Sequence, residues 1–217
     1  MIEHDPSIQR PSNPDASLWR FMDFTKYVSM LHRGALYFAR ADQLPDPFEG
    51  VGRRTRRGAH DAGSRRQDRV FLNCWHQNEH ESAAMWRIYL SSQEGVAIRT
   101  SVKRLQETLM AASEQVYLGA VRYIDYDTEV VAAGEVAPYF CKRQSFDYER
   151  EVRALLRAEH DAGDPGLYLE ADLSRLITEV VTSPDAEPWL SDLVRSVTEK
   201  YGLRLRVVDS SLSEPPP

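Results

Sequence analysis

Three sets of residues in this chain have the types and spacings that support chemistry. The first is Cys74, His76, Glu79, His80 and Glu81, crowded into FLNCWHQNEHESAAMW. Cys74 and His76 alternate along a predicted strand and so share a face, and with His80 they make a Cys/His/His metal site conceivable. A surface turn beside a buried thiol explains the same letters. The second set is Asp46 with Glu49 in LPDPFEG, two carboxylates that suit Mg²⁺ or that pin their own loop by accepting from backbone N–H groups. The third spans the chain: Arg20, Tyr89, and the run YEREVRALLR with Glu149, Glu151 and Arg153. In that run Val152, Ala154 and Leu156 take one face of a strand, and Glu149, Glu151 and Arg153 take the other. Charge on an otherwise apolar strand needs a reason, because an unpaired buried charge is costly. Either these side chains form an internal ion-pair ladder with Arg20 and Arg153, or their face lines a cleft.

Several standard sites are excluded. There is no GxGxxG or GxxxxGK[ST] phosphate loop, no HExxH, no paired CxxC and no GxSxG elbow.

The elements that must position these residues follow from periodicity and punctuation. LWRFM (18–22) is a predicted strand holding Arg20. Asp23 is the expected cap of a helix over 24–33, Gly34 its stop, and ALYFAR (35–40) the next strand. A strand through Phe71 and Trp75 leads to a helix over 81–91, with Asn78 and Glu81 at capping-box spacing and Gly95 as the stop before GVAI. Met85, Ile88 and Tyr89 form its apolar stripe, with Trp86 and Leu90 alongside. Ser101 starts a further helix; 116–126 reads as a strand kinked at Gly119, 138–146 as a short helical piece, and 148–157 as a strand. The segment 178–184 is another strand. The helix of EPWLSDLVRSVTEKYG turns Trp189, Leu193, Val194 and Val197 inward, and LRLRVVD is the last strand. The class expected is α+β, a single domain with a mixed central sheet of about seven strands flanked by four to five helices. Residues 1–16, with Pro6, Pro11 and Pro14, are expected as a disordered tail, 17–209 as the domain, and 210–217 as a C-terminal tail.

Composition sets the remaining bounds. The 217 residues are 42% hydrophobic and 28% charged, ordinary for a soluble globular protein, and carry no apolar run long enough to span a bilayer. The N-terminus lacks the marks of a signal peptide, and two cysteines suit a reducing cytoplasm. Charge is uneven. Residues 51–69 hold seven arginines (53, 54, 56, 57, 65, 66, 69) against Asp61 and Asp68, a surplus of five, so the net −6 leaves −11 for the rest. Arg53, Arg54, Arg56, Arg57, Arg65 and Arg66 are the candidate contacts for an anionic acceptor, although a solvated, mobile insertion kept soluble by its arginines is the simpler account of them.

The stretches LWRFMDFTKYVSMLHRGALYFARADQLPDPFEG, FLNCWHQNEHESAAMWRIY and SFDYEREVRAL resemble the bacterial domain-of-unknown-function family numbered 2971, over about 17–210. A remoter resemblance is to the ADP-ribosyltransferase superfamily, with its basic residue on a first strand, an aromatic in a second block and a glutamate on a later strand. Arg20, Tyr89 and Glu151 stand in that order here.

That resemblance implies a split-sheet fold and NAD as substrate, with no metal. It implies a nucleic-acid or protein acceptor and a role as bacterial toxin or defence effector. Glu151, Glu149 and Tyr89 would then be catalytic. Arg20 and Arg153 would hold the nucleotide, with Trp75 and Trp86 as an aromatic wall. Two alternatives stay open: a non-catalytic nucleic-acid-binding module gripping through the arginine loop, and a metal-dependent phosphodiesterase using Asp46, Glu49, His76 and His80.

Overall fold

The structure, a computed structural model, describes residues 1–44, 46, 69–131, 134–158 and 163–213; Glu49 and the arginines from Arg53 to Arg66 lie outside the described residues. In chain order the strands are β1 (Ile2–Glu3), β2 (Ser17–Asp23), β3 (Ala35–Arg40), β4 (Val70–Gln77), β5 (Gly95–Ser101) and β6 (Val116–Ala120). They continue with β7 (Arg122–Ile124), β8 (Cys141–Arg143), β9 (Glu151–Arg157), β10 (Gly166–Glu170), β11 (Glu179–Thr182) and β12 (Val207–Asp209). The helices are α1 (Phe24–Arg33), α2 (Ala83–Tyr89), α3 (Val102–Met110), α4 (Leu173–Leu176) and α5 (Trp189–Lys200). Parallel and antiparallel pairs mix, and the class is the α+β one expected. Twelve strands among the described residues exceed the seven or so expected, because pieces of two or three residues such as β1, β7, β8 and β12 are too short for alternation to register. The described residues fall into two compact units.

The first unit comprises Met1–Ser12, Tyr37–Cys74 and Leu109–Leu169. β6 pairs antiparallel with β9, from Val116 opposite Leu156 to Ala120 opposite Val152. β1 joins β6 in parallel, with Ile2 opposite Val116, so residues expected as a loose tail supply a strand here. Ile8 also enters the core, with Leu72, Tyr139, Phe140 and Leu155. The stretch around Ile8 lies close over β6, where the Ala120 N–H donates to the Gln9 carbonyl at 2.8 Å. That approach is why position 119 is glycine rather than a kink: a Cβ there would sit 2.1 Å from Ile8 Cγ2 and 3.1 Å from the Gln9 carbonyl oxygen. Gly119→Ala is therefore expected to lose about 1–3 kcal/mol by overpacking, measured as a lowered urea midpoint at unchanged m.

The second unit comprises Asn13–Leu36, Trp75–Thr108 and Glu170–Pro217. β2 and β5 pair antiparallel along their whole length, Ser17 opposite Ser101 and Asp23 opposite Gly95. β5 pairs with β11, and β11 in parallel with β12. α1 buries Tyr27, Met30 and Leu31, one turn apart on one face, and stops where Gly34 adopts φ 58°, a left-handed cap that glycine takes without steric cost.

Four local expectations change in this unit. The Asp23 side chain does not cap α1; its carboxylate accepts from the Ser91 N–H at 2.8 Å. α2 starts at Ala83, capped by Ser82 rather than by Asn78. The Glu81 carboxylate accepts from Trp86 Nε1 and from the N–H and hydroxyl of Ser211, tertiary partners no spacing rule sees. Met85 and Trp86 are its buried residues, whereas Ile88 and Tyr89 are exposed. On α5 the inward face is Leu190, Ser191, Val194 and Thr198, while Trp189 and Leu193 are exposed. The stripe is one residue off because a threonine takes a core place. Its hydroxyl donates to the Val194 carbonyl at 2.6 Å and meets the Tyr27 hydroxyl at 2.8 Å.

α4 begins with a complete cap, the Asp172 carboxylate accepting from the N–H groups of Ser174 and Arg175 at 3.1 and 3.2 Å. The Ser174 hydroxyl, which donates to it as well, is the main cause holding this carboxyl below the usual carboxylate range. Asp172→Ala is expected to cost about 1 kcal/mol at neutral pH. A carboxyl whose folded pKa is depressed contributes above its unfolded pKa and ceases to as pH falls through the folded one. Denaturation curves of variant and parent should therefore converge in acid.

Candidate active site

The acidic cluster of the first unit is assembled by elements that alternation alone does not reveal. β8 pairs in parallel with β7, Lys142 opposite Tyr123, and is bracketed by two 3-10 turns, Ala137–Phe140 and Gln144–Glu149. Glu149 thus ends a turn instead of lying on the strand, and β9 begins at Glu151. Between them Arg150 takes φ 42° and ψ 51°, the only positive φ among the described non-glycine residues. The left-handed step is disfavoured for a side chain with a Cβ and survives where surrounding bonds over-determine it. Those bonds are present. Arg150 N–H donates to the Asp147 carbonyl, Glu151 N–H donates to the Tyr123 hydroxyl at 2.7 Å, and the Glu151 carbonyl accepts from Val121 N–H at 2.9 Å.

Four charged side chains meet there, each nearly removed from water: Lys142, Glu149, Glu151 and Arg153 are 5%, 6%, 5% and 1% exposed. Arg153 donates through Nε at 2.7 Å to Glu151 Oε2, and Nη2 lies 2.5 Å from the same oxygen. Its Nη1 donates to the Tyr139 carbonyl at 2.7 Å. Lys142 Nζ donates to Glu149 Oε2, stands 3.9 Å from Glu151 Oε2, and lies 4.9 Å from the centre of the Phe146 ring. Every one of these contacts to the Glu151 carboxylate falls on Oε2. Burial first, and the Glu151 charge second, push the Glu149 carboxyl above the usual carboxylate range, opposed by Lys142. Burial and the same charge also raise the Tyr123 phenol, which stays neutral and accepts from Glu151 N–H.

The ion-pair ladder that the alternation left open is therefore formed within this unit, with Arg153 and Lys142 as cations. Of the expected site residues, Glu149, Glu151 and Arg153 come together. Arg153 donates to the Glu151 carboxylate and to the Tyr139 carbonyl and so holds that carboxylate. Lys142 and Tyr123 belong to no sequence motif: RYI falls within the expected strand 116–126, and CKR, expected as part of a helical piece, is the strand β8.

Arg20, Trp75, Trp86 and Tyr89 belong to the second unit. Arg20 sits mid-β2 opposite Ile98, its guanidinium carbon 6.0 Å from the Trp75 ring centre. Trp75 and Trp86 are core residues, Trp86 packing edge-on against Phe21 at 4.8 Å, whereas Tyr89 ends α2 at 39% exposure. Among the described residues no three His, Cys, Asp or Glu side chains gather as a set able to hold a metal ion. None of the described helices is long and apolar enough to cross a membrane.

No protein-family model matches the chain, and no curated protein matches it. Solved structures similar to it include DarT of Thermus sp. 2.9. The complex with NAD+ aligns at TM-score 0.45 and 12% identity over 95% of this chain and 100% of that one. The complex with ADP-ribosylated single-stranded DNA aligns at 0.46 and 11% over 95% and 99%. The complex with carba-NAD+ aligns at 0.43 and 10% over 91% and 96%. At such scores and identities a likeness assigns no residue a role.

Proposed function

We propose that this chain is an ADP-ribosyltransferase-like enzyme that cleaves NAD and passes ADP-ribose to a nucleic-acid or protein acceptor. The observation that supports it is a pair of carboxylates two residues apart in contrasting surroundings. Glu151 is held by two guanidinium contacts on one oxygen, and burial raises the Glu149 carboxyl above the usual carboxylate range. Paired carboxylates in unlike surroundings are the usual equipment for chemistry at a glycosidic carbon.

In this reading the bond from ribose C1′ to the nicotinamide nitrogen breaks and its electron pair leaves with neutral nicotinamide. Positive charge spreads over C1′ and the ring oxygen. Glu151, fixed through Oε2, offers Oε1 to a ribose hydroxyl and opposes that charge as it forms. The acceptor's lone pair then closes the bond to C1′, and its proton passes to Glu149, whose raised pKa suits a base.

A second reading is favoured by the low exposure of all four charged groups: the cluster is purely structural. Incubation with NAD, following free nicotinamide with and without single-stranded DNA or protein acceptors, separates the two. Release by the full chain supports the enzyme; no release with any acceptor leaves the structural network.

A further inference from the structure

Arg153 already neutralises Glu151, so a second buried cation in the cluster needs its own explanation. Lys142 comes from a different strand, β8, and spans what Arg153 does not: its ammonium is bonded to Glu149 and 3.9 Å from Glu151, with the Phe146 ring 4.9 Å away. Three contacts from a single ammonium thus tie the 3-10 turn Gln144–Glu149 to the head of β9, across the left-handed Arg150. A lysine stem is flexible and its ammonium strongly hydrated, so burying it without carboxylate partners is costly. Two carboxylates brought this close repel, and without a cation between them one takes up a proton.

We propose that Lys142 is a positioning residue that holds the Glu149 carboxylate beside that of Glu151 and fixes the turn that carries Glu149. The proposal rests on the reading of Glu151 as the carboxylate that faces the sugar, and Lys142 acts only through the two glutamates. Among the described residues the charges in its cluster are Glu149 from the turn and Glu151 and Arg153 from β9, with the neutral Tyr123 phenol on the paired β7. With these four described groups ionised, their charges sum to zero. Removing the ammonium leaves one negative charge in excess, and protonation of Glu149 is the least costly way to discharge it.

The test uses the full chain with Lys142→Gln, which keeps a donor toward Glu149 without the charge, and Lys142→Arg, which keeps the charge. Two readouts are taken against pH: nicotinamide release as kcat/KM, and the carboxyl ¹³C shift of Glu149, assigned by its loss in Glu149→Gln. Lys142→Gln is expected to move the Glu149 titration, and with it the acid limb of the rate, upward by about one pH unit or more, while Lys142→Arg restores both. A merely structural lysine would lower rate or stability at every pH without moving either midpoint, and that outcome overturns the proposal. If the parent chain releases no nicotinamide, the enzymatic reading fails on its own account, while the carboxyl titration still decides whether Lys142 governs the pair.

Discussion

Replacing Glu151 by Gln is expected to slow nicotinamide release on the order of 100-fold or more, about 3 kcal/mol of transition-state stabilisation. The amide is nearly isosteric, so position and packing are retained. It retains an acceptor for the Arg153 fork as well. What it removes is the negative charge that opposes the developing positive charge on the ribose, a charge absent in the ground state, so kcat should fall more than KM changes. Because the two contacts from Arg153 fall on one carboxylate oxygen, the loss reports on the charge rather than on a displaced strand. The comparison requires that Glu151→Gln unfold cooperatively with a midpoint near the parent's. A well-folded variant with undiminished release would remove the catalytic role of Glu151 and leave the cluster as a structural network.

The largest stability effect is expected at Arg153. The side chain is 1% exposed and serves both Glu151 and the Tyr139 carbonyl. Arg153→Met fills similar volume but leaves a buried carboxylate and a buried carbonyl without their donors, a loss of about 3–5 kcal/mol. On β9 the residue pairs with Gly119 of β6, so the damage falls inside the antiparallel β6–β9 ladder of the first unit. The double variant Glu151→Gln/Arg153→Met should recover part of that loss, since the stranded charge goes with its partner. Urea denaturation of the two single variants and the double gives the coupling. A single-variant loss below about 1 kcal/mol would mean that Glu151 draws its compensation from elsewhere, Lys142 being the nearest source. Any substantial loss also bears on activity assays, because an unstable Arg153 variant loses turnover for reasons unrelated to NAD.

Much of the framework was legible in the letters because it is local. LWRFM, the helix through His32 and Arg33, Gly34 and ALYFAR appear where periodicity and the glycine stop put β2, α1 and β3. The α+β class followed from the same alternation of short strands and capped helices. The odd spacing of Glu149, Glu151 and Arg153 was visible too, as charge on a strand that is otherwise apolar. Glu149 itself proved to sit in a turn, where the left-handed Arg150 breaks the alternation.

What the tertiary structure decided is which groups those charges meet. Lys142 lies seven residues before Glu149 and Tyr123 twenty-eight before Glu151, with a change of element between the members of each pair, so no single backbone period correlates their side chains. The one-residue shift of the buried face on α5 and the takeover of Glu81 by Ser211 have the same origin. Periodicity reports the geometry of one element, which the chain's own bond angles impose. Pairing of buried polar groups is set by whichever segment packs against them, and the desolvation cost of leaving them unpaired selects the partner only once the elements have come together.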